Sequence, residues 1–329
     1  MTCTVQPGDT TVVNPLELSD HELVEASCRA PLLYPHAFST EIIRLADNLV
    51  VKAGSLRESE FLTQQLAFDS FDTSIVSVPK PYRFLHSERC HLERDYFVME
   101  LIEGRTLESF PVDADETRII VAKVAAAIRY MRNTITSTVP GPIDGTAAEG
   151  FPWGDEFAER RFTTMMDLEA CLNRRIIHYN KLLDRKSIAK GTTTDPLRYV
   201  PELRLQGKKL VLSHLDIARR NIMVRPDGSI CMLDWERAAF YPPEIEIAKL
   251  RYNHWELSAM ANSLTNGSPW RYSGNINLAD EARFLEILLH ELEPMQLDER
   301  EMSAIKLVES RSRVNAFVSF TPIKRKQEN

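Results

Sequence analysis

The feature that most constrains this chain is a short hydrophobic hairpin in its second half, with polar residues at one end. An Asp-Gly pair at 227–228 is a strong turn signal, because glycine accepts the positive φ that tight hairpins require. The pair separates two apolar runs, 222–224 and 230–233. Antiparallel pairing about this turn brings Asn221, just before the first run, beside Asp234, just after the second. The sequence therefore predicts a buried hairpin that presents an amide and a carboxylate at one end.

A second carboxylate reaches the same place from the preceding loop. Asp216 lies five residues before Asn221, so the loop that leads into the hairpin delivers it to the same end. Two carboxylates and an amide oxygen are hard oxygen ligands of the kind that Mg²⁺ takes. Any one of these residues alone would be an ordinary polar loop residue. The occurrence of all three residues together with His214, at this particular spacing along the chain, favours a functional site.

This spacing also resembles that of a known family. His214, Asp216 and Asn221 fit the pattern H-x-D-x-x-x-x-N, and Asp-Trp-Glu at 234–236 follows at the end of the hairpin. The arrangement resembles the catalytic core of the protein-kinase-like fold. The Trp-Glu pair, Arg220 before the asparagine and the short hairpin resemble the aminoglycoside phosphotransferase family, with which choline kinases and related small-molecule kinases belong.

The resemblance implies a role for each of these residues. Asp216 would be the catalytic base that orients and deprotonates an acceptor hydroxyl, while Asn221 and Asp234 would hold Mg²⁺. His214 and Arg220 would support the loop, the arginine by adding positive charge. The chain would then be a kinase that moves the γ-phosphate of Mg·ATP to a hydroxyl group.

The resemblance covers roughly residues 40–250, and two positions depart from the family's pattern. Leu215 stands where the family often has glycine and protein kinases have arginine. The stretch 241–249 resembles a motif of the fungal members, but Ile245 occupies a position that is usually aromatic. We identify the chain as a fungal-type member because the stretch 241–249 resembles the motif of the fungal members.

A kinase-like site also needs a lysine on a strand, paired with a glutamate on a helix, to fix the α- and β-phosphates. Lys52 follows the apolar run 49–51, and the next helical segment offers Glu58 and Glu60. We prefer Glu60 by resemblance, because the apolar residues that follow it continue its face. Glu58 remains the alternative.

The run 96–104 resembles the hinge of the same family, where backbone groups meet adenine. The resemblance implies that the Glu100 carbonyl and the Ile102 amide bind the base, with Met99 beside it. No glycine occurs between Thr40 and Lys52, so the phosphate-facing turn would be built on Asp and Asn instead.

The acceptor is predicted to be a small molecule that carries a hydroxyl. Pro243 comes only nine residues after Asp234, which is too short for the segment on which protein kinases dock peptides. The acidic stretches 155–159, 281–293 and 298–301 would suit a cationic acceptor, but the second of them is more simply the solvent face of a helix. Five aromatic residues could line the acceptor pocket or pack elsewhere: Trp153, Tyr252, Trp255, Trp270 and Tyr272.

Two further functions stay open at this stage. One is a catalytically silent kinase-like protein that binds nucleotide or a partner, and the other is a protein kinase. The four key residues of the pattern are intact, which disfavours the first, and the short segment after Asp234 disfavours the second. The acceptor, the choice of ATP or GTP, a resistance or biosynthetic role and the oligomeric state are left open.

Composition excludes several other classes. The net charge is −7, which gives no support to a role on nucleic acid or an anionic membrane, because both need a basic face. The five cysteines are scattered and never form CxxC, as expected of a reduced, cytoplasmic protein. No run approaches the roughly 18 apolar residues of a membrane span.

Local patterns predict an α+β chain with two lobes. A hairpin over 42–51, a helix over 56–68 and a strand at 96–99 predict a small β-rich lobe, with a break at Pro79 and Pro81 followed by a polar stretch. A helix over 114–132 and helical texture after about 155, except at 211–234, predict a larger helical lobe. We assign residues 1–35 to an N-terminal extension, 36–103 to a nucleotide-binding lobe, and 104–329 to a lobe that holds the catalytic loop and the acceptor.

Overall fold

The computed structural model describes residues 15–33, 40–87, 94–148, 161–189, 191–193, 202–265 and 277–292. Its architecture is a small antiparallel sheet with two helices, joined to a larger and mainly helical lobe. This is the α+β, bilobal arrangement of the protein-kinase-like fold that the sequence predicts.

The N-lobe is built on a four-stranded antiparallel sheet in the order β1-β2-β4-β3. Its strands are β1 (Thr40–Ala46), β2 (Leu49–Gly54), β3 (Pro81–Ser87) and β4 (Arg94–Glu100). The predicted hairpin is confirmed, with Asp47 and Asn48 at its turn. Helix α2 (Glu58–Ser70) crosses from this sheet toward the second lobe.

The polar stretch expected after Pro79 and Pro81 is in fact strand β3. Because β3 is an edge strand of the described sheet, paired with β4 on one side, it can expose polar side chains and does not show the pattern of a buried strand. Pro81 is its first residue, where a missing amide hydrogen is tolerated.

Helix α1 (Asp20–Arg29) precedes the sheet and packs on it. Ser19 and Glu22 form a reciprocal capping box at its start, and Leu23 is fully buried beside Ile43 and Val51. The segment predicted as irregular or weakly helical therefore contains a capped helix that closes one face of the N-lobe. Residues 1–14 and 34–35 of that segment lie outside the described ranges.

In the described ranges, the second lobe contains four α-helices and two small sheets. Its helices are α3 (Asp115–Thr134), α4 (Met165–Ala189), α5 (Glu244–Thr265) and α6 (Leu278–Leu292). One sheet runs β10-β7-β6 and the other β5-β8-β9. The strands are β5 (Arg105–Thr106), β6 (Thr136–Ser137), β7 (Leu210–Ser213), β8 (Ile222–Val224), β9 (Ile230–Met232) and β10 (Ala239–Tyr241).

The predicted hairpin at 222–233 is confirmed as β8 and β9, with Ile222 opposite Met232. Strand β10 was not anticipated, because its three residues are recognised only by pairing with β7. Gly104 turns the chain from the hinge into β5, and a Cβ on it would lie 2.4 Å from the Val224 carbonyl oxygen. None of the helices in the described ranges is long and apolar enough to cross a membrane.

Candidate active site

The two lobes meet at the Lys52 ammonium group. Strand β2 carries Lys52, whose Nζ lies 2.8 Å from Glu60 Oε1 on α2 and 2.8 Å from Asp234 Oδ1 just beyond β9. Glu236 Oε2 lies 3.6 Å from the same Nζ. Three of the predicted residues, two of them 182 positions apart, therefore share one ion cluster. Glu58, the alternative partner, is exposed at the start of α2.

Burial and charge act in opposite directions on this cluster. Burial alone would lower the pKa of Lys52, but the carboxylates of Glu60, Asp234 and Glu236 outweigh it and raise that pKa. Burial raises the pKa of Glu60 to about 7, although Lys52 partly counteracts it. One ammonium group thus faces three carboxyl groups. When these carboxyl groups are ionised, the cluster has a net negative charge that a further cation would offset.

The backbone is strained on both sides of the hairpin. Leu215 and Asp234 have φ of +62° and +64°, and they are the two non-glycine residues with positive φ in the described ranges. Leu215 lies between His214 and Asp216, and Asp234 ends the hairpin; such strain persists where surrounding contacts impose it. Glycine adopts this left-handed conformation without the strain that it imposes on Leu215.

His214 is a buried brace for this loop. Its Nε2 lies 3.0 Å from the Leu233 carbonyl oxygen, and its Nδ1 accepts the Asp216 amide at 3.3 Å. Its ring packs against Trp235, with centroids 4.7 Å apart. Burial lowers the pKa of His214, which favours the neutral ring that these two bonds require.

Glu246 on α5 also holds this loop, and the only signal for it in the sequence is its place within the stretch 241–249. Its carboxylate accepts the His214 amide at 2.6 Å and the Leu215 amide at 3.1 Å. Burial raises the pKa of Glu246 to about 7, while these backbone donors lower it. The strained turn at Leu215 is therefore held by a carboxylate inside the lobe.

Asp216 is oriented through one of its two carboxylate oxygens. Oδ2 accepts Arg220 NH2 at 2.6 Å and Asn221 Nδ2 at 2.8 Å. Burial would raise the pKa of Asp216, but Arg220, together with Lys249, lowers it below its usual value. Asp216 is therefore ionised at neutral pH, and no hydrogen bond within the described ranges engages Oδ1.

Asn221 and Asp234 lie at the same end of the hairpin, as the sequence predicts. The Leu233 amide donates to the Asn221 carbonyl at 2.9 Å, which sets Asn221 beside the residue that precedes Asp234. The Asn221 Nδ2 group is engaged by Asp216, so its amide oxygen is the group left to meet a cation. Among the described residues, no group of three His, Cys, Asp or Glu side chains could hold a metal by itself. Mg²⁺ is commonly held by one or two protein oxygens plus phosphate and water, which fits this pair.

The hinge residues connect β4 of the N-lobe to β5 of the second lobe. The Glu100 amide donates to the Lys80 carbonyl and the Leu101 amide to the Asn48 carbonyl, both at 2.9 Å. In the described part of the chain, no backbone acceptor takes the Ile102 amide. The Met99 sulfur lies 3.6 Å from Gln64 Nε2, between the hinge and α2.

The proposed acceptor side is only partly described. Trp153, Trp270, Tyr272 and the acidic stretches 155–159 and 298–301 lie outside the described residues, as does Glu293. Tyr252 and Trp255 lie on α5, where the Tyr252 hydroxyl bonds to Glu256 at 3.2 Å. Glu281, expected on the solvent face of its helix, is instead 4% exposed, because it accepts a backbone amide from the catalytic loop.

Several solved structures of aminoglycoside phosphotransferases are similar to this chain. Among solved structures, aminoglycoside phosphotransferase APH(4)-Ia is 16% identical over 88% of this chain and 97% of that chain, with a TM-score of 0.45. An aminoglycoside-3'-phosphotransferase of type VIII is 13% identical over 85% of this chain and 92% of that chain, with a TM-score of 0.43. The streptomycin–ATP–APH(2")-IIa ternary complex is 13% identical over 90% of this chain and 95% of that chain, with a TM-score of 0.44. No curated protein matched.

The family model gives the firmer result. Residues 42–266 match the model of the phosphotransferase enzyme family, APH. That range is about two-thirds of the 329 residues and spans β1 to the end of α5, with Lys52, Asp216, Asn221 and Asp234 all inside it. The chain belongs to the APH phosphotransferase enzyme family.

Proposed function

We propose that this enzyme transfers the γ-phosphoryl group of Mg·ATP to a hydroxyl group of a small molecule. The observation that carries the proposal is the ion cluster in which Lys52 meets Glu60 and Asp234 at 2.8 Å each. A lysine on a strand, a glutamate on the following helix and an aspartate after the hairpin are the parts that position phosphates in kinase-like sites.

The N-lobe, residues 36–103, would hold the nucleotide. Lys52 is the cation for the α- and β-phosphates, and Glu60 keeps it in place. At the hinge, the Ile102 amide and the Glu100 carbonyl would bind adenine beside Met99. ATP is preferred over GTP in this proposal because the donor at Ile102 and acceptor at Glu100 suit the adenine edge.

Asn221 and Asp234 would hold Mg²⁺ through their side-chain oxygens. When bound, Mg²⁺ neutralises phosphate charge and orients the terminal phosphoryl group. The excess of carboxylates around Lys52 supports this assignment, because a divalent cation offsets charge that a single ammonium group does not.

Asp216 is proposed as the base. Its lowered pKa keeps it ionised, and Arg220 and Asn221 hold Oδ2 so that Oδ1 faces the acceptor. The acceptor hydroxyl oxygen forms a bond to the γ-phosphorus, its proton passes to Asp216, and the bond from the γ-phosphorus to the bridging oxygen breaks. ADP leaves with that oxygen, and the products are a phosphate ester and ADP.

A small acceptor is favoured over a peptide by the segment after Asp234. Strand β10 pairs with β7 from residue 239, and α5 begins at Glu244. The short connection leaves no long activation segment on which a peptide would dock. We assign residues 104–329 to the lobe that binds this acceptor. We also propose the cytoplasm as the compartment of the protein, in keeping with its scattered free cysteines.

The test is ADP release with a panel of hydroxyl-bearing small molecules, run on the wild type and on Asp216→Asn. We expect acceptor-dependent ADP release in the wild type and a fall in kcat of about 10²- to 10⁴-fold in the variant, with Mg·ATP affinity retained. Phosphate transferred to a peptide library instead would establish a protein kinase. Nucleotide binding without turnover on any acceptor would point to a silent binding protein.

A further inference from the structure

Arg219 is a buried arginine inside the catalytic loop, between Asp216 and Asn221. Its side chain is 3% exposed. Burying a guanidinium group is costly unless its N–H groups find acceptors. We therefore expect Arg219 to have a structural role in this loop. It is neither the proposed base nor a proposed metal ligand.

The guanidinium group bonds to the segment that follows the hinge. Arg219 NH2 donates to the carbonyl oxygens of Phe110 at 2.5 Å, Leu107 at 3.2 Å and Glu108 at 3.3 Å. These carbonyls lie at a short helical turn, in which the Leu107 oxygen also accepts the Phe110 amide at 3.2 Å. The turn follows β5, which pairs with β8 of the hairpin. The side chain therefore fixes the loop to the base of the hinge.

The same residue is tied to α6 by two carboxylates. Its backbone amide donates to Glu281 Oε1 at 3.0 Å, and its NH1 lies 3.6 Å from Asp280 Oδ2. Both acids lie in the first turn of α6, where the helix dipole stabilises negative charge. Helix α6 is itself anchored in the core by Leu285 and Leu288, so Glu281 is a rigid acceptor.

We propose that Arg219 is a positioning residue for the reaction: held by the 107–110 turn and by Glu281, it sets the backbone between Asp216 and Asn221. This inference rests on the proposed function, because it concerns the alignment of those two residues. Asn221 Nδ2 also binds the Asp216 carbonyl at 2.9 Å, so the backbone that Arg219 fixes is the frame of the base itself. A misplacement of about 1 Å in such a site costs about 100-fold in rate.

The variants separate the hydrogen bond from the charge of Glu281. Glu281→Gln keeps an oxygen that can accept the Arg219 amide, whereas Glu281→Met removes it, and Arg219→Met removes the guanidinium group. Arg283→Met is the matched control, because Arg283 also extends from α6 but pairs with Asp113 and Glu286 at the surface. Burial raises the pKa of Glu281 to about 7, so the assays are run at about pH 8, where it is ionised.

Three quantities are measured for each protein: kcat, the Kd of Mg·ATP, and hydrogen exchange of the backbone amides at 214–221. We expect Glu281→Met and Arg219→Met to lower kcat by about 100-fold, with the Kd of Mg·ATP changed by less than about threefold. Exchange in the loop should rise in the same two variants. Glu281→Gln and Arg283→Met should stay near the wild type in all three measurements.

Unchanged kcat in Glu281→Met and Arg219→Met, in an active enzyme, would overturn the positioning role and leave the proposed function intact. An equal loss in Glu281→Gln and Glu281→Met would also overturn it, because the amide oxygen would then fail to rescue. If Arg219→Met does not fold, the Glu281 pair alone decides. A wild type that neither binds Mg·ATP nor turns over would refute the proposed function and this inference with it.

Discussion

Glu60 offers a direct test of how the ion cluster affects stability. The perturbation is Glu60→Gln, which keeps the size of the side chain and an oxygen near Lys52 but removes the titration. Glu60 is 2% exposed, so solvent screens it little. Its pKa rises from the ordinary value of 4.5 to about 7 in the folded protein, mainly through burial.

The sign and size of the effect follow from that shift. A carboxyl group whose folded pKa is raised stabilises the protein fully below pH 4.5, and this stability is lost as pH rises through about 7. At about 1.4 kcal/mol per pH unit, the wild type should lose about 3 kcal/mol of unfolding free energy relative to Glu60→Gln over this range.

Above about pH 7, Glu60 is ionised and pairs with Lys52, so kcat of the wild type should fall as the pH drops below that value.

The assay is urea unfolding of both proteins at about pH 5 and about pH 8 at constant ionic strength. The difference between the two unfolding free energies isolates Glu60 from Glu246 and Glu281, which titrate in the same range in both proteins. Parallel stability curves for the wild type and the variant would refute the reasoning. So would a wild type that gains stability relative to Glu60→Gln as the pH rises.

Two other predictions concern the loop and the hinge. Arg220→Met should raise the pKa of Asp216 and move the acid limb of the pH–rate profile to higher pH, because Arg220 is the main group that lowers this pKa; an unmoved limb would argue against Asp216 as the base. Gly104→Ala should lower the unfolding free energy by about 1–3 kcal/mol more than Gly207→Ala does. Both glycines have positive φ, but only at Gly104 would a Cβ meet backbone, 2.4 Å from the Val224 oxygen, and equal losses in urea unfolding would contradict this account.

The parts of the site that the sequence predicted are those fixed by local geometry. The Asp-Gly turn and the two apolar runs set the hairpin, and the hairpin sets Asn221 near Asp234. Lys52 was found through chain order and resemblance, and the structure pairs it with Glu60 rather than Glu58. The resemblance to the phosphotransferase family is confirmed by the family model, whereas the fungal-type grouping stays a prediction.

The parts that sequence reasoning missed depend on packing between distant segments. Glu246, on α5, gains its role only when α5 lies under the loop at His214. Arg219 and Glu281 are ordinary charged residues in the sequence, and their burial follows from the docking of α6. Strand β10 is too short to show periodicity. In each case the stabilising partner lies 26 or more residues away, beyond the reach of a local pattern.

The most direct test of the central claim is the thermal shift of the wild type and Asp234→Ala with ATP, with and without Mg²⁺. At about 100 times Kd, Mg·ATP should stabilise the wild type by about 2.7 kcal/mol, which is a shift of several degrees in Tm. Asp69→Ala, which removes an exposed carboxylate on α2, is the control and should shift like the wild type. We expect a magnesium-dependent shift that disappears only in Asp234→Ala. No shift in the wild type, or an equal shift in Asp234→Ala, would contradict a metal–nucleotide site at the Lys52–Asp234 cluster.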